Sequence, residues 1–446
     1  MVERFRSSFS VLLATTIASF LTSFTTSSIT IALPTMATEF RVSLADVNWV
    51  ANIFLLAVAS TVLVVGRVSD WLGRERVFTL GTALFAVASV AIVLSSSYEL
   101  VLAFRFLQGV ASSMITGTAV AILSDALPRE RRGMGIGINV TAVYLGLSLG
   151  PLAGGYMTAY LGWRSIFILK TAIALLSLAI AALYLGMGRG FAPRPSIFTA
   201  LLEAIAVVLV IYGTSAIGTL HGLLTAVSGW ALLITWLFIE YRKPQLLHTS
   251  MFRRGFLSAN TAALLNYSAT YALTILLSSY LQKIRNFTPS EAGLILTAQP
   301  VAQAMLSPVG GMLADRYNPS ALASIGMAVI AVGITSLTPI SRETMVTHII
   351  YSLVLLGIGF AFFASPNATA IMNMSPREAY GTATSLLATM RSLGQALSTS
   401  IITAVMNMQK DLLTAIKTSL TIYIALSIAG VVLSLMAKQS TEHSKS

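Results

Sequence analysis

Charge is scarce in this chain. Of 446 residues only 10% are Asp, Glu, Lys or Arg, where a soluble domain carries about 25%. With 56% of residues hydrophobic and a mean hydropathy of +0.81, there is too little charge to cover a water-facing surface, so most of the exterior must face lipid. Cysteine is absent, which excludes disulfides, thiolate metal sites and a cysteine nucleophile. The four histidines, His221, His248, His348 and His443, stand apart, outside any HExxH or GxSxG setting. No metal, cofactor or enzymatic chemistry is expected. Acid is scarcer than base, and the formal net charge is +12. Such an excess could signal nucleic acid, but no nucleic-acid motif accompanies it. On so apolar a chain, basic groups mark membrane topology.

What is present is a series of long apolar runs. A spanning helix needs roughly 20 residues at 1.5 Å rise each. Fourteen segments qualify, at about 10–32, 46–66, 76–96, 99–124, 134–160, 165–187, 197–218, 222–241, 256–281, 291–314, 320–339, 346–369, 380–407 and 413–436. The first is read as a retained helix, not a cleaved signal. Short connections carry the breakers, among them Gly73, Pro128, Gly188 to Pro195, Pro244, Pro289, Pro319 and Pro376. With the N-terminus inside, cytoplasmic segments hold eighteen Lys and Arg. The outer ones hold eight, Arg164 and Lys170 among them. The positive-inside rule then places both termini in the cytoplasm, which demands an even number of helices.

An internal repeat follows. Gly66-Arg-Val-Ser-Asp70 recurs as Gly311-Met-Leu-Ala-Asp315, and Gly81 falls on Gly326 at the same offset. Duplicated halves are how many secondary transporters build a midplane site. The residues 197–241 have no repeat partner.

Between the second and third spans lies Gly66-Arg-Val-Ser-Asp70-Trp-Leu-Gly73-Arg74-Glu75-Arg76. Its glycines permit close approach and a tight turn, Asp70 suits a helix N-terminus, and Arg74 offers a fork to a carboxylate. The run resembles motif A of the major facilitator superfamily. That resemblance implies a cytoplasmic latch completed by Asp125 at the end of the fourth helix. Phe104-Arg105-Phe-Leu-Gln108-Gly109 is similar to the family's motif B. An intramembrane arginine must face the interior, where Arg105 either tunes proton or substrate binding or simply ties the bundle together. Gly146-Leu-Ser-Leu-Gly150-Pro151-Leu-Ala-Gly154-Gly155 resembles motif C, which the family associates with antiporters. Glycines at i and i+4 let helices meet at backbone contact, and Pro151 bends its helix.

Ile31-Ala-Leu-Pro34 closing the first helix, Ser290-Glu291-Ala-Gly293 and Met390-Arg391-Ser-Leu-Gly394 extend the resemblance to the fourteen-helix drug:proton antiporters. It implies an all-α polytopic membrane protein: a six-helix bundle at 1–188, two additional helices at 189–244, and a second six-helix bundle at 245–446. It further implies a monomer in the plasma membrane. This would export small lipophilic compounds in exchange for protons, by rocking-bundle alternating access.

One departure matters. The family's first helix carries an Asp shortly before the Ala-Leu-Pro run, and Thr25 stands there instead, within a run of hydroxyls. A hydroxyl cannot exchange a proton near neutral pH. Among the other acids only Glu203 lies well inside a span. The departure opens a second expectation, an uncoupled facilitator or a transporter of a neutral or anionic metabolite contacted by Arg105 and Arg391. Gln108, Asn139, Tyr144, Asn260, Asn266, Tyr267, Tyr271, Gln299, Gln303, Asn367 and Gln395 are further cavity candidates. Pro366-Asn367 is a candidate flexing point of the twelfth span.

Overall fold

The computed structural model describes residues 2–127, 132–186, 188, 190, 196–243, 249–375, 380–409 and 411–442. Regular structure among these residues is entirely helical: α1 (Val2–Phe40), α2 (Leu44–Val47), α3 (Trp49–Leu72), α4 (Arg74–Leu94), α5 (Tyr98–Ala126), α6 (Arg132–Leu161), α7 (Arg164–Tyr184), α8 (Ile197–Ser215), α9 (Leu220–Arg242), α10 (Arg254–Thr270), α11 (Leu273–Ser279), α12 (Pro289–Leu296), α13 (Ala298–Arg316), α14 (Pro319–Leu337), α15 (Val346–Asn373), α16 (Tyr380–Met408) and α17 (Leu412–Glu442). With α2–α3, α10–α11 and α12–α13 each taken as one interrupted rod, fourteen rods result, one for each apolar run. Expected breakers at Pro128, Gly188 to Pro195, Pro244 and Pro376 fall mostly outside the described residues.

Local chemistry sets many rod ends. Ser97, Ser196 and Thr219 accept from backbone N–H groups as N-caps, and Thr288 with Glu291 forms a reciprocal capping box at α12. Gly73 joins α3 to α4 at φ +106°, a conformation that excludes a Cβ at little cost only for glycine. Ten helices among the described residues are long and apolar enough to cross a membrane. Of the remaining rods, α6, α10–α11, α12–α13 and α16, the second and third are broken. All four carry contacts between the two groups of helices described below.

Three expectations are corrected. Pro34 does not end the first helix: α1 continues to Phe40, and Thr38 Oγ1 donates to Pro34 O at 3.0 Å. Proline costs one upstream hydrogen bond but leaves the turn after it intact. The ninth and tenth spans are not continuous helices. The ninth breaks at Tyr271–Ala272, where Ser398 Oγ of α16 takes the Ala272 N–H at 3.0 Å, and ends in a π-helical turn. Lys170 does not belong with the outer loop cations. It lies inside α7 and is fully buried, because hydropathy reading cannot see which face a lone lysine presents.

Two groups of helices pack around the seam. In one, α1 lies along α6 and α7, while α5 packs on α3 and α4. In the other, α14 and α13 pack on α15, and α10 on α16 and α17. The repeat is visible in this packing. A methyl at Gly81 would stand 2.5 Å from Met114 Cβ of α5, and one at Gly326 2.6 Å from Phe363 N of α15. The equivalent glycines thus perform the same close approach in each group. α8 and α9 form an antiparallel pair, with Gly213 against Ala226 and Gly229 against Val210, docked through α8 onto α3 and α16.

Candidate functional site

At one end of the bundle, around the Gly73 turn, motif A comes together. Arg74 Nε donates to Asp70 Oδ1 and its Nη1 to Asp125 Oδ2, both at 2.8 Å. The fork of a single arginine therefore ties the ends of α3 and α4 to α5. Gly66 is less constrained than its place in the motif suggests, since an added methyl would stand 3.7 Å from Ser385 Oγ of α16. It lies on the seam between the groups.

At the opposite end, near the turns at 41–43, 162–163 and 285–288, motif C forms a glycine seam. Methyls at Gly146, Gly150 and Gly154 would meet Phe20 O at 2.6 Å, Ser27 Oγ at 1.9 Å and Ser28 O at 2.4 Å, all on α1. The i, i+4, i+8 spacing presses one face of α6 onto the α1 backbone. Gly155 turns the other way. A methyl there would stand 2.5 Å from Pro289 O, and one at Gly293 2.4 Å from Pro151 O, so α6 and α12 touch backbone to backbone across the two groups. Bonds from the π-helical turn after α11 and from Tyr271 reinforce the contact. Tyr271 hydroxyl donates to Thr26 O at 2.9 Å, Gln282 Nε2 to Ile31 O at 3.0 Å, and Lys283 Nζ to Thr38 Oγ1 at 3.0 Å. Ser148 Oγ of α6 donates to Pro300 O at 3.2 Å.

Between these ends lies a polar layer. Arg105 is fully buried, with Nε donating to Val50 O at 2.8 Å and Nη1 to Gln108 Oε1 at 2.6 Å. Gln108 passes the chain on to Ser89 Oγ at 2.7 Å. The guanidinium lies 4.3 Å from the centroid of Phe54. Burying such a cation costs on the order of 2.5–3.5 kcal/mol, and these carbonyl, amide and ring contacts offset part of that. Tyr271 lies within electrostatic reach of Arg105, and Arg391 of α16 sits beside Tyr267, one turn earlier on α10. Arginines from both groups therefore converge on one side of α10, next to the break in that rod. Discontinuous helices at mid-depth are a recurrent place for transporter sites.

Thr25 is buried, but its hydroxyl is spent on Leu21 O of its own helix at 2.8 Å. Most of the hydroxyl run behaves likewise, bonding back along α1. Glu203 is buried on α8, with neither carboxylate oxygen partnered among the described residues; it lies level with Trp236 of α9 in the register of that pair. It does not join the central layer. Asn139 ties α6 to α1 through Ser19 Oγ at 2.9 Å. Tyr144's side chain falls outside the described residues. Among the cavities of the described residues, one of about 300 Å³ is lined by Thr214, Ile401, Met408 and neighbours on α17, and another lies between α14 and α17. Both lie at the periphery.

Two residues escaped sequence reasoning. Asn52 Nδ2 donates to Ser400 Oγ at 3.0 Å and Ser215 Oγ at 3.2 Å, while its Oδ1 accepts from Thr399 Oγ1 at 2.8 Å. One buried amide thus joins α3, α8 and α16. The signal is in the chain: Asn52 is the one amide of α3. The other is Lys170, whose Nζ has no hydrogen-bond partner among the described residues and stands 4.4 Å from the Phe167 ring centroid.

Comparison with known proteins gives the following. A model of the family described as the Major Facilitator Superfamily matches residues 15–260 and 259–446. The riboflavin transporter RibZ of Clostridioides difficile (strain 630) is 28% identical over 404 residues, covering 87% of this chain and 86% of that protein. The tetracenomycin C resistance and export protein of Streptomyces glaucescens is 26% identical over 393 residues, covering 85% and 72%. Among solved structures, a peptide transporter POT in complex with sulfate aligns with a TM-score of 0.74 at 15% identity, covering 96% of this chain and 95% of that one. That likeness is one of fold.

Proposed function

Because this chain belongs to the Major Facilitator Superfamily, a family of membrane transporters, we propose that it exports small lipophilic compounds across the plasma membrane in exchange for protons. All fourteen rods cross the bilayer in this reading, with both termini in the cytoplasm and the Gly73 turn on the cytoplasmic side. The residues 1–188 and 245–446 rock against each other as six-helix bundles, and 189–244 adds a docked pair. The observation that carries the reading is the glycine seam. The antiporter-like motif makes backbone contact with α12 of the other bundle through Gly155, at the end opposite the Arg74 ion pairs. One device per side is what alternating access requires. Relatives that resist or export drugs support export.

A second reading rests on the central layer. Thr25 carries no exchangeable proton, and the described buried carboxylates, Glu203 and Glu240, both sit on the added pair α8–α9. An uncoupled facilitator, or a carrier of a neutral or anionic metabolite, fits that pattern. RibZ is a riboflavin transporter, so drug export is not the one activity found among relatives.

Reconstitution into proteoliposomes holding a pH-sensitive dye separates the two. With a panel of cationic, neutral and anionic lipophilic compounds, proton counterflow with any compound is the expected result. Transport with no proton movement would replace antiport by facilitation.

A further inference from the structure

The central layer holds three basic side chains, and none of them forms an ion pair with a carboxylate among the described residues. Lys170 of α7 and Arg105 of α5 are both 0% exposed and share one aromatic ring. Lys170 Nζ is 4.4 Å, and the Arg105 guanidinium carbon 6.0 Å, from the Phe167 centroid. Arg105 is held by Val50 O and Gln108, whereas Lys170 Nζ has no hydrogen-bond partner among the described residues. Arg391 approaches the same region from α16, through Tyr267.

The described acids of α1–α7 are committed elsewhere. Glu39 binds Arg164 and Trp163, and Asp46 binds Ser43, both near the outer turns. Glu99 opens α5 at its first turn. Asp70 and Asp125 hold Arg74 at the far end, and Glu75 lies there too, in the first turn of α4. Like charges gathered out of water are unfavourable unless an anion compensates them. A ring face helps one cation but does not neutralise two.

We propose that this layer recognises an organic anion, with Lys170 as the residue that pairs with the substrate's acidic group while Arg105 and Arg391 flank it. Phe54 and Phe167 provide aromatic surface beside the charge, so the favoured substrate is an aromatic carboxylate or a comparable ring-bearing anion. The inference rests on the transporter reading and names its substrate class.

Fluorescein and rhodamine 6G share a xanthene core but differ in charge, anion against cation. Binding of each to the purified full chain is read by fluorescence anisotropy. Wild type should bind fluorescein at least tenfold more tightly than rhodamine 6G. Lys170→Met should weaken fluorescein at least tenfold with little change for rhodamine 6G, and Lys170→Arg should keep it within about threefold. Equal or stronger binding of rhodamine 6G by wild type, absent fluorescein binding, or an unchanged folded Lys170→Met protein would overturn the proposal. If Lys170→Met does not fold, the wild-type preference between the two dyes decides alone. Proton movement and dye transport in proteoliposomes are scored separately. Fluorescein binding with no transport of any compound would sink the transporter reading and leave the anion site standing.

Discussion

Arg74 divides its guanidinium between two carboxylates, and the solvent around it sets how much that is worth. Its side chain and that of Asp70 are about a fifth exposed, and Asp125 is more than half exposed. Ion pairs in such surroundings contribute about 0.2–1 kcal/mol. That is too little to hold the fold but enough to shift a two-state equilibrium up to about fivefold. A gate that must open on every cycle suits a weak fastening. Asp70→Asn should therefore slow transport several-fold while leaving expression intact, and full activity would remove the latch from the mechanism. Asp411 illustrates a different role. Its carboxylate accepts from Thr414 Oγ1 at 2.7 Å and Thr414 N at 2.8 Å, capping α17. The Thr414 hydroxyl bond is the largest cause holding this carboxyl below its usual range. A depressed native value means the cap contributes fully above the unfolded value of about 3.9 and is lost as pH falls through the native value. Amide exchange in the first turn of α17 should accelerate in that acid window, and in Asp411→Ala at every pH above it.

The α6–α12 seam is where a single methyl has the most leverage. At Gly155 a Cβ would meet backbone oxygen, which cannot swing aside as a side-chain tip can. Gly155→Ala should push α6 and α12 apart and raise the outward-open population. Because the chain has no native cysteine, one introduced at Thr38 reports this cleanly. Its labelling from outside should rise in Gly155→Ala, and unchanged labelling would mean the seam is not a gate. Asn52 ties α3 to α16 and to the added pair at once. Asn52→Leu should cost roughly 0.6–1.7 kcal/mol, the range for interhelical bonds in membranes, since Ser215 and Ser400 retain a bond to Ile211 O. Thermal melting of the variant in detergent checks this. An unchanged midpoint would show that the Asn52 amide adds nothing to the docking of α8.

Rocking of the whole molecule requires the two helix groups to separate at the outer end. Thr38 and Lys283 sit on opposite sides of that cleft, bonded at 3.0 Å. Cross-linking cysteines at the two positions should abolish transport and reduction should restore it. Transport through the cross-linked protein would exclude a bundle motion at this mouth. Much of this architecture is legible in the chain. The apolar runs foretell all fourteen rods to within several residues, because lipid compels each backbone to satisfy itself within one helix. The repeat foretells the equivalent packing of Gly81 and Gly326, and the resemblance to motif A foretells the Asp70, Arg74 and Asp125 contacts. The rods and the repeat depend on local hydropathy and on helix periodicity, which sequence order alone specifies. Only the tertiary structure could decide which face Lys170 presents, that Asn52 joins three rods, that Thr25 turns back on its own helix, and where the ninth and tenth rods break. Each depends on which neighbour offers a hydrogen bond or excludes one. Neighbours far apart in the chain are brought together only when the helices have packed.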